Sequence, residues 1–187
     1  MQGSFFSGQL LIAMPGISDP RFERTVILVC AHDGQHAMGV AVNRPVEGLT
    51  LPDLLTRLDI ESNIELPPDL VLMGGPVERE RGFVVHTDDY MGEHSLEVGA
   101  GLALTATREV LEAIATHDRQ PRRAFLALGY AGWGAGQLED EIKENVWLTC
   151  EPDDALVFDA DYDTKWGRAL SKIGVDPDRL SAIAGRA

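Results

Sequence analysis

The chain has 187 residues, 44% of them hydrophobic, with 30 acidic against 16 basic side chains and a formal net charge of −14. This length and apolar content fit one globular domain, 1–187. Only three of the cations are lysines, and phosphate backbones are held by Lys and Arg, so direct nucleic-acid contact is disfavoured.

Two cysteines, Cys30 and Cys150, exclude a disulfide framework and agree with a reducing compartment. No apolar run approaches the ~18 residues of a membrane span. The opening Met-Gln-Gly-Ser-Phe-Phe-Ser-Gly-Gln has no basic n-region, so it does not read as a secretory signal. The expected setting is the cytoplasm.

Leu10–Met14 reads as a first strand, ended by Pro15-Gly16, and Asp19-Pro20-Arg21-Phe22 as a turn with one helical turn after it. Thr25–Cys30 is a nearly continuous apolar, β-branched run, the pattern of a strand buried on both faces. His32-Asp33-Gly34 then turns the chain into Ala37–Asn43, and so short a link predicts an antiparallel hairpin that Pro45 ends. Leu51, Leu54, Leu55 and Leu58 share one helical face, and Thr50 with Asp53 makes a capping-box start. An acidic loop, Ile60–Pro68, follows. Leu70–Met73 is a strand running into Gly74-Gly75-Pro76, Gly82–His86 another, and Asp88–His94 a polar turn.

Leu96–Leu104 alternates as a single strand. Thr107 is the expected cap of a helix that buries Val110, Leu111, Ile114 and Ala115. Ala124–Tyr130 is a central strand leading into a glycine loop, and Leu138 with Ile142 marks the apolar face of the helix after it. Val146–Thr149 and Leu156–Phe158 are predicted as short strands. Tyr162, Trp166, Ala169, Leu170 and Ile173 form a helical stripe stopped by Gly174, and Asp176-Pro177 opens a last helix with Leu180 and Ile183 inward. Clustered strands with irregular helices between them indicate an α+β domain.

No complete catalytic or cofactor signature is present. The glycine loop, Gly129, Gly132, Gly134 and Gly136 with Trp133, matches neither a dinucleotide fingerprint nor a P-loop. Glu139, Asp140 and Glu141 crowd the following helix start and would repel phosphate. The loop therefore reads as a packing hinge whose rim, including Trp133, is available to a ligand or partner. His32 shares a strand face with Cys30, as i and i+2 residues do, but no third ligand stands at metal-binding spacing, and a thiol in an apolar run is inert. Acids beside Cys150 raise its pKa. His94 and His117 read as surface residues and His86 as a strand-end residue at a rim.

The strand ends carry the better signal, because loops held by a sheet are where binding groups collect. The candidate ligand- or partner-binding residues are Asn43, Arg44, Gly74, Gly75, Arg81, His86, Gly132, Trp133, Gly134 and Gly136. Arg44 and Arg81 belong to only six cations in residues 1–100. Each could hold an acidic small molecule by a forked hydrogen bond or make an internal ion pair.

With these residues assembled, the chain resembles the AlgH/YqgE family nearly end to end. The resemblance rests on Gly8–Pro15, Ala37–Pro45, Gly74–Val77, Arg81–His86, Leu128–Leu138 and Trp147–Thr149. His36, where the family usually has glycine, and Cys150, where residue type varies, depart from its pattern. The resemblance implies a soluble cytoplasmic protein of mixed α+β fold, with coiled, largely antiparallel, bifurcated sheets and peripheral helices. It implies no catalytic residue, cofactor or metal. The regulator label on the family comes from one member's association with alginate control, and no helix-turn-helix is visible here. The favoured expectation is a non-enzymatic binding or regulatory protein acting through a protein partner or small ligand. The alternatives are an enzyme using Asn43, Arg44, Arg81, His86 and the Gly129–Gly136 loop, and a transcriptional regulator.

Overall fold

The computed structural model describes residues 5–17, 19–116, 120–176 and 178. His117 and the last predicted helix, with Leu180 and Ile183, lie outside the described residues. Among these residues ten strands form one curled sheet: β1 (Leu10–Ala13), β2 (Val26–His32), β3 (His36–Ala41), β4 (Pro45–Thr50), β5 (Leu70–Met73), β6 (Val77–Thr87), β7 (Leu96–Gly99), β8 (Leu102–Thr105), β9 (Ala124–Gly134) and β10 (Trp147–Cys150). The order is β10-β1-β2-β3-β9-β6-β8-β7, with β4 paired to β5 and β5 to β9. All the pairings are antiparallel except β5–β9. Among the described residues five α-helices lie around it: α1 (Leu51–Arg57), α2 (Arg108–Ile114), α3 (Gln137–Lys143), α4 (Asp154–Phe158) and α5 (Lys165–Lys172). The domain is α+β.

The apolar runs of β1 and β2 are explained by burial on both faces. Leu10, Ile12, Val26 and Leu28 point into the curl, where they meet Phe83, Val85, Leu104 and Phe125 from the far half of the sheet and Trp166 and Leu170 from α5. Leu11, Ala13, Ile27 and Val29 point outward, under Trp133, Leu138 and Trp147. A third cluster packs α1 and α2, through Leu55, Val110 and Ile114, on Val84 and Leu126.

The strand β9 belongs to both halves of the sheet. Ala124–Leu128 pairs with β6, and Leu72 and Met73 of β5 lie beside Ala127 and Leu128. Past Gly129 the same strand pairs with β3, Ala131 opposite Gly39 and Gly134 opposite His36. Gly129 sits at φ +77°, a left-handed conformation that glycine adopts without the Cβ penalty. The break shifts the alternation by one residue: Leu126 and Leu128 face the α1–α2 cluster, whereas Ala131 and Trp133 face the cluster under α3. The expected glycine loop is therefore strand through Gly134, and only Ala135-Gly136 turns before α3.

Four other expectations are corrected. Pro45 does not end strand structure but opens β4, pairing with Leu72; the first residue of a strand tolerates the missing N–H. Leu96–Leu104 is a hairpin, turned at Ala100 and Gly101 with φ +57° and +80°, the signs of a tight hairpin turn. Leu156–Phe158 lies in α4, because Asp153 caps it by accepting from Leu156 N. Finally, the ladder of β2 slips between Val29 and Ala31, so the i, i+2 rule fails across Cys30. Cys30 faces the interior of the curl, and His32, opposite Ala37, faces the other side.

Candidate ligand-binding site

The end of β3, the β5–β6 corner and the short helical turn at Pro20–Phe22 meet beside the break in β9. Gly74 is wedged there: it accepts from Ala41 N at 2.9 Å and donates to Leu128 O at 2.8 Å. A Cβ on Gly74 would collide with the Gly129 carbonyl, and one on Gly75 with the Tyr130–Ala131 peptide. Both glycines are required by close backbone approach. Between these segments lies a cavity of about 180 Å³ walled by Phe22, Thr25, Met73, Gly74, Gly75 and Pro76, together with three arginines, Arg21, Arg44 and Arg79. Among the described residues no carboxylate lines it. Half of the six cations in residues 1–100 thus face one small cavity.

The three guanidiniums are not equivalent. Arg21 is forked onto Asp19, Nη2 to Oδ2 at 2.7 Å and Nε to Oδ1 at 3.0 Å; this pairing holds the Asp19 carboxyl below its usual range. Arg44 donates through Nη1 to Glu23 O at 3.1 Å and Thr25 Oγ1 at 3.0 Å, bonds that fix its position, and it makes no ion pair among the described residues. Arg79 makes no side-chain hydrogen bond or ion pair among the described residues. Asn43 supports the arrangement: its Oδ1 accepts from Val26 N at 3.0 Å and its Nδ2 donates to Arg24 O at 2.9 Å, tying the Glu23–Val26 segment to the end of β3.

A second groove, about 460 Å³, adjoins the cavity and shares Arg21, Phe22 and Pro76 with it. Gly132, Trp133, Glu141, Glu144 and Trp147 are among its lining residues. Trp133 is not an exposed rim residue, being only 6% exposed. It meets Trp147 edge-on at 6.1 Å, and both indole N–H groups donate to the same Glu141 Oε1, at 3.0 and 2.9 Å. Gln137 donates to Glu141 Oε2 at 2.9 Å. The carboxylate expected to repel phosphate is instead the acceptor that satisfies two buried indoles.

The structure thus gathers Asn43, Arg44, Gly74, Gly75, Gly132 and Trp133 on one side. Arg81 and His86 do not join them. Arg81 stacks over Phe83, 5.1 Å from its centroid, and faces Glu78 at 3.7 Å. His86 is wholly buried, not at a rim, and burial holds its ring below the usual imidazole value. Its Nδ1 lies 2.9 Å from Thr87 O and its Nε2 2.7 Å from Thr105 Oγ1. A carbonyl can only accept, so Nδ1 carries the proton and Nε2 accepts from Thr105, which in turn meets Ser95 Oγ. Every polar atom of that ring is used internally. Gly134 donates its N–H to Gln137 Oε1 at 2.9 Å, and Gly136, at φ +72°, starts α3.

The family model described as AlgH-like matches residues 10–178. The chain belongs to the AlgH-like family. A UPF0301 protein of Caulobacter vibrioides is 61% identical over 186 residues, covering 99% of this chain and 95% of its own. The AlgH protein of Pseudomonas aeruginosa, solved in solution, is 38% identical with a TM-score of 0.75, over 97% of this chain and 96% of its own. A Corynebacterium diphtheriae protein at 20% identity and TM-score 0.76 covers 93% of this chain and 90% of its own, and shares the fold. In this chain Gly74, Gly75 and Gly129 pack backbone against backbone at the β9 break.

Sequence reasoning missed Arg21 and Arg79. Their signal was the scarcity of cations, which alone does not say which arginines converge. It also missed Lys165, whose side chain is fully buried and donates to Val42 O at 3.0 Å and Val157 O at 3.2 Å. Burial lowers its pKa to about 8. At a helix start such a lysine is indistinguishable in sequence from a solvated one.

Proposed function

We propose that this protein is a non-enzymatic binding and regulatory protein whose effector is a small acidic molecule, a carboxylate or phosphate, held at the Arg21–Arg44–Arg79 cavity. The observation that carries the reading is a cavity lined by three arginines and, among the described residues, no carboxylate in a chain of net charge −14. Guanidinium forks match planar oxyanions. The Gly74-Gly75 backbone leaves the oxyanion unobstructed by side chains. Its proposed setting is the cytoplasm, in keeping with two unpaired thiols; among the described residues no helix is long and apolar enough to cross a membrane.

An enzyme built on His86 has little support, since the ring has no exposure to solvent. A regulator contacting DNA through phosphates is disfavoured by charge. The test is calorimetric titration with citrate and with inorganic phosphate, repeated on Arg44→Gln and Arg79→Gln. We expect saturable binding weakened about tenfold or more by either change, the scale of a lost charged hydrogen bond. Absence of binding by both anions, or binding indifferent to both substitutions, would overturn the reading.

A further inference from the structure

We infer that the cavity and the adjoining groove together form a site for an extended peptide with a free C-terminal carboxylate, which adds to the open edge of β9. The inference rests on the anion-binding reading above and extends it along the groove.

Three observations converge. The first is an unused strand edge. β9 has β3 on one side of Ala131–Gly134, but on the other side β6 reaches it only as far as Val77 opposite Tyr130. In an antiparallel ladder, alternate residues direct N–H and C=O toward the partner and the others direct them away. His36, opposite Gly134, turns its N–H and C=O to Asp33 on the β2 side, and Gly134 gives its N–H to Gln137, so Gly134 and, two residues earlier, Gly132 turn their N–H and C=O away from β3. Gly132 is exposed and lines the groove. It offers one donor and one acceptor with no side chain in the way, which is the chemistry of strand addition.

The second is a reversal of charge along the groove. Arg44 and Arg79 stand at one end. Arg21, neutralised by Asp19, sits on the shared wall with Phe22 and Pro76. Glu141 and Glu144 stand beyond it. Glu141 is committed to the two indoles and Gln137, whereas Glu144 makes no side-chain hydrogen bond or ion pair among the described residues. A ligand matching this order has an anion at one end, an apolar middle and a cation at the other. A short peptide with free termini has that order built in.

The third is rigidity. The groove floor is Trp133 and Trp147, locked edge to face and hydrogen-bonded through Glu141, so a peptide meets a preformed surface and little ordering cost is incurred.

The experiment is a nitrogen-15 NMR titration of the full chain with trialanine, its C-terminal amide and its N-acetyl form, beside citrate. Trialanine should shift the amides of Gly132, Gly74 and Gly75 together. The C-terminal amide should bind at least tenfold more weakly, and N-acetylation should weaken binding severalfold in the wild type but not in Glu144→Gln. Gly132→Pro removes the edge N–H without touching the β3 ladder. It should abolish trialanine binding and keep citrate binding, with Gly132→Ala as the control that retains both. If citrate binds and trialanine does not, or if the C-terminal amide binds as well as the acid, the peptide inference is overturned while the anion reading stands. If neither binds, both fall. The peptide comparisons use the wild-type protein, so a misfolded variant cannot shield the inference.

Discussion

Replacing Glu141 by leucine removes the one acceptor shared by two buried indoles. Trp133 is 6% and Trp147 1% exposed, and their N–H groups reach Glu141 Oε1 at 3.0 and 2.9 Å. A buried donor left unsatisfied costs about 1–3 kcal/mol, which for two gives a destabilisation of roughly 2–6 kcal/mol. Glu141→Gln keeps an acceptor oxygen for the indoles but loses the charge and the second oxygen, which accepts from Gln137, so about 1–2 kcal/mol is expected. Glu144→Leu is the control. It removes the same charge three residues further on, contacts neither indole, and should stay within about 0.5 kcal/mol of wild type. The assay is urea unfolding followed by tryptophan fluorescence, with unchanged denaturant slopes showing that the folded states are comparable. If Glu141→Leu were no less stable than Glu144→Leu, the account of the tryptophan pair as held by a shared carboxylate would be refuted.

Other predictions follow from the same geometry. Gly75→Ala places a Cβ against the Tyr130–Ala131 backbone, which cannot rotate away, and should cost at least ~2 kcal/mol in the same assay. Lys165 carries a pKa of about 8 in the fold against 10.5 unfolded. Between those values the unfolded chain holds more protons, so this group's contribution to stability rises with pH from about 8 upward; the rise should appear in wild type and vanish in Lys165→Met. Cys30, pushed up to about 12 by burial, and Cys150, raised chiefly by burial, should resist a thiol reagent at pH 8 in the native protein and react at once in urea. A mobility-shift assay at about 0.15 M salt should show no DNA binding, since no steep phosphate-neutralising term is available.

Local chemistry made much of the fold legible. Thr50 and Asp53 predict the capping box that α1 forms. The unbroken apolar run of β2 is explained by a sheet buried on both faces. What failed was alternation across irregularities. A slip at Cys30 moved His32 to the opposite face, and the left-handed Gly129 turned an apparent loop into a strand that changes partners. Ala100 gave no turn signal because alanine rarely takes positive φ. The candidate site was half legible. Arg44, Gly74 and Gly75 stand out as strand-end residues, but Arg79 and Arg81 look alike in sequence, and only the local course of β6 sends one to the cavity and the other over Phe83.

The central claim is that Arg44 and Arg79, neither of them in an ion pair among the described residues, hold an anion in one cavity beside Gly74 and Gly75. It is tested most directly by mapping citrate on the wild-type protein by nitrogen-15 NMR, including the arginine Nε resonances. The account predicts saturable shifts concentrated at Arg44, Arg79, Gly74 and Gly75. Shifts at exposed arginines such as Arg108 and Arg122, with that cavity silent, would contradict it.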